Sequence, residues 1–277
     1  ISRSPIAFTR VTSSSGAFGT GLIGLEDSPV SITHSALRGT STAVYLTSLV
    51  RSAFTVSGST LSGGSTTLHV INVNLAVSDS PFSFTDSTVT STATSGSRCA
   101  VLFKKAVSDS PFSATNSHFT GAAVAVEFLL SLLRSGFTAA GSTFVGSRSA
   151  IGVLRVGTTT EFSPFTISDS TITSTYTGGV GYSDGLQFRA AVSDSPITLT
   201  DVVLTASAAG LHLIPGPIQR SPIICTRVTS SAGAYGTGLI GLEDSPVTIT
   251  DSTMRGSNTA VYLTSLVRSA FTVSGST

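Results

Sequence analysis

The stretch Ser78-Asp79-Ser80-Pro81-Phe82-Ser83-Phe84-Thr85-Asp86-Ser87-Thr88-Val89-Thr90 decides the fold. It reads as a turn, a strand, a second turn and the start of another strand. Variants open at Ser4, Ser28, Ser52, Ser110, Ser135, Ser163, Ser195, Ser221, Ser245 and Ser269, so that successive units are 24, 24, 28, 30, 25, 28, 32, 26, 24 and 24 residues apart. A motif returning with a period of about 20–50 residues marks a stacked repeat array.

Positions within a unit are counted from its serine. Position +1 is usually Pro, which suits a strand's first residue because it has no N–H to donate. Position +2 is always large and apolar, giving Ile6, Val30, Phe54, Phe82, Phe112, Phe137, Phe165, Ile197, Ile223, Val247 and Phe271 as a core stack. Position +4 is nearly always apolar, and positions +3 and +5 are mostly Ser or Thr. This alternation is that of a strand with one buried face. Position +6 is Asp86, Asn116, Asp169, Asp201 and Asp251, or Gly58, Gly141 and Gly275. These residues tolerate the left-handed conformation of a sharp corner. A second apolar point follows at +9 (Leu37, Leu61, Val89, Phe119, Phe144, Ile172, Leu204, Met254). A variable stretch rich in Gly, Ser and Thr then leads to a third strand, as in Ala43-Val44-Tyr45-Leu46, Ala100-Val101-Leu102-Phe103 and Gly210-Leu211-His212-Leu213.

Three short strands per unit of 24–32 residues, with no helix signal, predict a three-sided coil whose stacked turns pair parallel strands around a continuous core. In this pattern the chain resembles the right-handed parallel β-helix superfamily, the pectate-lyase-like fold, of the repeat type found in large secreted adhesins and fibres. The resemblance covers residues 1–277, implying an all-β, single continuous β-solenoid of about ten to eleven coils. A longer period lies above it. Residues 3–60 match 220–277 at an offset of 217, with ten of 58 positions different, among them Phe8 against Cys225 and His34 against Asp251. Residues 3–219 thus form an eight-coil super-repeat, and the next begins at 220.

Composition narrows the function. Charged residues make up 10% of the chain, against about 25% in ordinary domains. The net charge is +1 and no basic patch is visible, so no nucleic-acid partner is expected. Cys99 and Cys225 fall about five coils apart, too far to bridge, and read as small buried hydrophobes. The most apolar run, residues 122–133, contains Glu127 and is too short to span a bilayer; it reads as a strand. The chain starts in mid-pattern without Met, the expectation for a piece of something longer.

The candidate chemistry is sparse. Position −1 forms a column of charge: Arg3, Asp27, Arg51, Asp79, Asp109, Arg134, Asp194, Arg220, Asp244 and Arg268, with Phe162 the uncharged member. Opposite charges on adjacent strands attract and like charges repel, so the column reads as register control. Asp86 with Asn116, and Asp169 with Asp201, should be corner neighbours satisfied by local backbone, as residues of this type commonly are. Enzymes of the resembled superfamily hold Ca²⁺ or run acid–base chemistry through clustered acids. No such cluster is evident, so no catalytic residue, metal site or cofactor is expected and the chain reads as not an enzyme. His34, His69, His118 and His212 fall at different coil positions and read as surface or locally satisfied. The outer files of Thr33, Thr55, Thr85, Thr115, Thr166, Thr198, Thr200, Thr248 and Thr250 form a flat contact face.

The expectation is a structural rod, extracellular or at the cell surface: a segment of a tandem-repeat fibre, appendage shaft or giant adhesin. Its partners would be itself, end to end or laterally, and glycans, with no membrane span in this segment. The alternatives are a polysaccharide-active lyase or hydrolase, and an ice- or glycan-binding Thr/Ser face.

Overall fold

The computed structural model describes residues 1–22, 24–64, 69–93, 99–146, 152–176, 183–213, 216–239 and 241–277. Much of the variable stretch between the second and third strands lies outside them. The described residues form parallel strands stacked into a β-solenoid. The first sheet has eleven strands and three others have ten each. Each sheet is built by strands four apart in chain order, so every coil contributes one strand to each.

The coil from Val30 shows the plan. Val30–Thr33 lies in the first sheet, Ala36–Gly39 in the second, Thr42–Leu46 in the third and Leu49–Val50 in the fourth. The coil is therefore four-sided, where the sequence pattern predicted three sides. The added strand is two residues long, as in Leu25–Glu26, Val77–Ser78 and Val107–Ser108. Two residues carry no alternation, so it merges with the turn in the sequence. The run containing Glu127 is a strand, Val124–Phe128, as expected.

Register follows the motif. Phe54, Phe82, Phe112, Phe137 and Phe165 pair in successive coils, each directly opposite the next. All five are buried, and so are Val30, Ile197, Ile223 and Val247. Ile6 is half-buried and Phe271 is exposed, because each lies in a terminal strand of the first sheet. Rings stack along the column: Phe112 and Phe137 have centroids 5.1 Å apart and lie within 4° of coplanar. Phe119 and Phe144 repeat this at the +9 position, at 5.2 Å and 5°. The one-coil advance of about 4.8 Å sets these distances, so identical residues at one position stack by construction.

Two corners bend each coil. Every −1 residue, from Arg3 at φ 52° to Arg268 at φ 48°, is left-handed. So is every +6 residue, including Arg10, His34 and Arg227. The sequence predicted the second corner; the first carries arginines and even Phe162 at φ 49°, residues not usually chosen for that region. A left-handed corner turns the next N–H out of the strand ladder. Position zero supplies the remedy. The N–H of Ser28 donates to Ser52 Oγ at 3.0 Å, that of Ser52 to Ser80 Oγ at 2.9 Å, and that of Ser80 to Ser110 Oγ at 2.8 Å. Each hydroxyl in turn donates to the carbonyl two residues back, as Ser80 Oγ does to Ser78 at 2.7 Å. The ladder runs unbroken from Ser4 to Ser269. A second ladder, at +7, links Ser35, Ser59, Ser87, Ser117, Ser142 and Ser170, is interrupted where Val202 and Val228 replace the serine, and resumes as the Val228 N–H donates to Ser252 and the Ser252 N–H to Ser276.

Candidate functional site

The charge column lies outside the first corner, where arginines reach back one coil. Arg51 Nε meets Asp27 Oδ1 at 2.7 Å while its Nη2 meets Glu26 at 2.7 Å. Arg134 grips Asp109 at 2.6 and 2.7 Å, Arg220 grips Asp194 at 2.8 and 2.6 Å, and Arg268 grips Asp244 at 2.8 Å through both nitrogens. Paired planar donors match a carboxylate's two oxygens. These arginines hold Asp27, Asp109, Asp194 and Asp244 below the usual carboxylate range. Arg227, at the second corner, does the same to Asp201 at 2.7 and 2.6 Å. Asn116 Nδ2 donates to Asp86 Oδ1 at 3.2 Å, so this corner pair bonds between coils through side chains, where the sequence reading expected local backbone partners. Arg3 and Asp79 make no ion pair among the described residues.

The Thr files occupy the outer face of the first sheet. Thr55, Thr115 and Thr166 are exposed, and Thr33, Thr85, Thr198, Thr200, Thr248 and Thr250 are half-exposed. Thr85 and Thr115 are paired across adjacent strands, as are Thr166 with Thr198 and Thr226 with Thr250.

The densest chemistry lies on the third sheet. Residues alternating with the core form one outward row along it: Tyr45, Asn72, Leu102, Glu127, Arg155, Gln187 and His212. Although it points away from the core, this row is covered: Asn72, Leu102, Glu127 and Gln187 are buried. Buried charges need partners, and these have them. Arg155 Nη1 donates to Glu127 Oε1, and Cys99 Sγ lies 3.2 Å from Glu127 Oε2. The N–H of Cys99 donates to His69 Nδ1 at 2.9 Å. His69 thus finds its partner on the neighbouring coil.

The second cluster centres on Asp184, which is fully buried. Its Oδ1 accepts from the Ala209 N–H at 3.1 Å. Its Oδ2 accepts from Gln187 Nε2 at 2.7 Å and lies 2.5 Å from His212 Nδ1. A carboxylate on Nδ1 fixes the ring and leaves Nε2 as the working nitrogen, able to take or give a proton. Asp184 and His212 border a cleft of about 170 Å³ with Ala208, Ala209, Ala234, Tyr235 and Asn258. The ring of Tyr235 lies 5.3 Å from that of Tyr262 on the next coil. A phenol, an amide and an oriented imidazole can hold a small polyhydroxylated ligand. Among the described residues no group of three or more His, Cys, Asp or Glu could hold a metal ion.

Both cysteines are buried. Desolvation pushes the Cys225 thiol up to about 12, which leaves it unreactive at neutral pH. Alignment on the serines hides Glu127, Arg155, Asp184 and Gln187, because the variable stretch shifts each third strand by a different amount. Aligning the third strands on their own apolar residues brings Asn72, Glu127, Arg155, Gln187 and His212 into one column.

No family model matches the chain, and no curated protein is similar to it. Among solved structures it is similar to the catalytic unit of a thermostable GH87 alpha-1,3-glucanase from Streptomyces thermodiastaticus strain HF3-3, at 9% identity and a TM-score of 0.25, covering 99% of this chain and 63% of that one. The expectation that the chain is not an enzyme is corrected by this finding, since the similar structure belongs to an enzyme. At that score the likeness assigns no reaction to this chain. No helix among the described residues is long and apolar enough to cross a membrane.

Proposed function

We propose that the chain is a segment of a tandem β-solenoid shaft displayed outside the cell. The supporting observation is the seam at residue 220, where the 217-residue pattern restarts. All four ladders cross it in register: Ile197 pairs with Ile223, Leu204 with Ser230, Leu211 with Thr237 and Ile218 with Leu242. The serine ladder crosses too, from Ser195 to Ser221 at 2.9 Å. A super-repeat that joins its successor as closely as one coil joins the next can be extended without altering the rod. Imaging the native protein by electron microscopy tests this. Straight unbranched rods are the expected result, and compact particles would sink the reading.

The cleft favours a second reading, in which the shaft handles a polysaccharide. It sits at the same seam, with Asp184 and His212 before residue 220 and Tyr235 and Asn258 after it. Tyr235 and Asn258 are two of the ten differences between the matching segments, standing where Phe18 and Ser41 stand earlier. The first exchange adds a hydroxyl and the second puts a carboxamide in place of a hydroxyl. Incubation with neutral and acidic polysaccharides, read by new reducing ends and by retention on the insoluble polymer, tests it. A signal that His212→Ala abolishes is expected; neither release nor retention would exclude it.

A further inference from the structure

Resting on the shaft reading, the structure assigns a docking edge between super-repeats. We propose that a coil with arginine at both corners accepts a coil with aspartate at both corners of a second copy of the eight-coil unit. Units then join head to tail in one register, whether or not the backbone continues between them.

The argument starts from the distribution of charge over the two left-handed corners. Arginine occupies both in the first coil (Arg3, Arg10) and in the ninth (Arg220, Arg227). Elsewhere an arginine at the first corner is matched by glycine at the second, as in Arg51 with Gly58, Arg134 with Gly141 and Arg268 with Gly275. The doubled arginine therefore marks where each super-repeat begins. The coil that ends the super-repeat carries the complement, Asp194 and Asp201.

Within this chain the complement is engaged. Arg220 grips Asp194, and Arg227 grips Asp201, each through two nitrogens at 2.6–2.8 Å. The two grips stand at opposite ends of one first-sheet strand, Ile223–Thr226, and fix its position against Ile197–Thr200 at both ends. The other gripped junctions among the described residues have one corner gripped, as Arg134 on Asp109, Arg51 on Asp27 and Arg268 on Asp244 show. All these arginines reach toward the preceding coil. Arg3 and Arg10 are exposed and make no ion pair among the described residues.

A slip of the arginine edge breaks the doubled grip. One coil earlier, Arg220 would face Phe162 and only Arg227 would meet a carboxylate, Asp169; two coils earlier, Arg220 would face Arg134 and Arg227 would face Gly141. A contact between different patches of like units is heterologous and propagates as an open filament. Its charge dependence makes it sensitive to salt.

The test begins with the intact folded chain carrying a protease site inserted between Gly216 and Pro217. After cleavage, size exclusion at low salt reports whether the piece from 217 onward stays bound. The wild-type pair should remain one species. Arg220→Asp with Arg227→Asp should release the piece, and adding Asp194→Arg with Asp201→Arg should restore retention. Circular dichroism of each uncut chain checks the fold. If the reversal does not fold, Arg220→Gln with Arg227→Gln takes its place and should elute as two species at moderate salt. Loss of the wild-type piece overturns the proposal, as does retention in the reversed or neutral variant equal to wild type, or failure of the fourfold change to rescue. Rods seen in the uncut protein alongside any of these results would leave the shaft standing and remove the docking edge alone.

Discussion

Phe82 and Ser80 stand two residues apart and do opposite work. Phe82 points into the core, with its ring 4.8 Å from Phe103 in an edge-on contact and 5.5 Å from Phe54. Its neighbours are held by their own ladders and cannot collapse into a void. Phe82→Ala should therefore cost about 3–5 kcal/mol, read as a lowered denaturation midpoint; an unchanged midpoint would mean that the ring is not core. Ser80 is polar yet fully buried, because its hydroxyl takes the Ser52 N–H and gives to the Ser78 carbonyl. Ser80→Ala removes no core volume but leaves a buried N–H unpaired, at a cost of about 1–3 kcal/mol. Amide exchange at Ser52 should rise with it. A silent substitution would show that the ladder is incidental to the corner.

At the scale of the element, the first-sheet strand and its two corners form the repeating unit. The corner carboxylates give it a pH signature. Arginine hydrogen bonds depress the folded-state range of Asp27, Asp109, Asp194, Asp201 and Asp244. A depressed group stabilises above its unfolded value, about 4 for aspartate, and loses that contribution as pH falls through its lower folded value. Thermal stability should thus be flat from neutral to mildly acidic pH and drop below about pH 4, more gently in Asp109→Asn, which has one such group fewer. A drop centred near pH 6 would point to histidine instead. This element was the legible part of the sequence. Phe82, Thr85 and Asp86 announce inside, outside and corner, because a strand with one buried face must alternate. The two-residue strand at Val77–Ser78 was not legible, since its pairing is backbone geometry with too few side chains to form a pattern. The Asp184–His212 contact was hidden for another reason: it joins residues 28 apart across a stretch of variable length.

For the whole molecule, stability depends on stacking. Each coil touches only its neighbours, so the rod has no centre, and what distinguishes one coil from the next is side-chain chemistry at fixed places. The aromatic columns occupy the coils between Phe54 and Phe165, the acid–base row lies on the third sheet, and the doubled arginines mark the seam. The sequence period places residues 33 and 250 at one coil position eight coils apart, and the ladders put both on the first sheet.

That relation allows a direct measurement. Thr33→Cys and Thr250→Cys place spin labels on the outer face, while the native Cys99 and Cys225 are buried. At about 4.8 Å per coil, eight coils separate the labelled backbones by about 38 Å. Pulsed dipolar spectroscopy should return one narrow distribution close to that separation, broadened by the label linkers alone. A distribution centred well below it, or one spread over tens of ångströms, would contradict a continuous solenoid running through the seam.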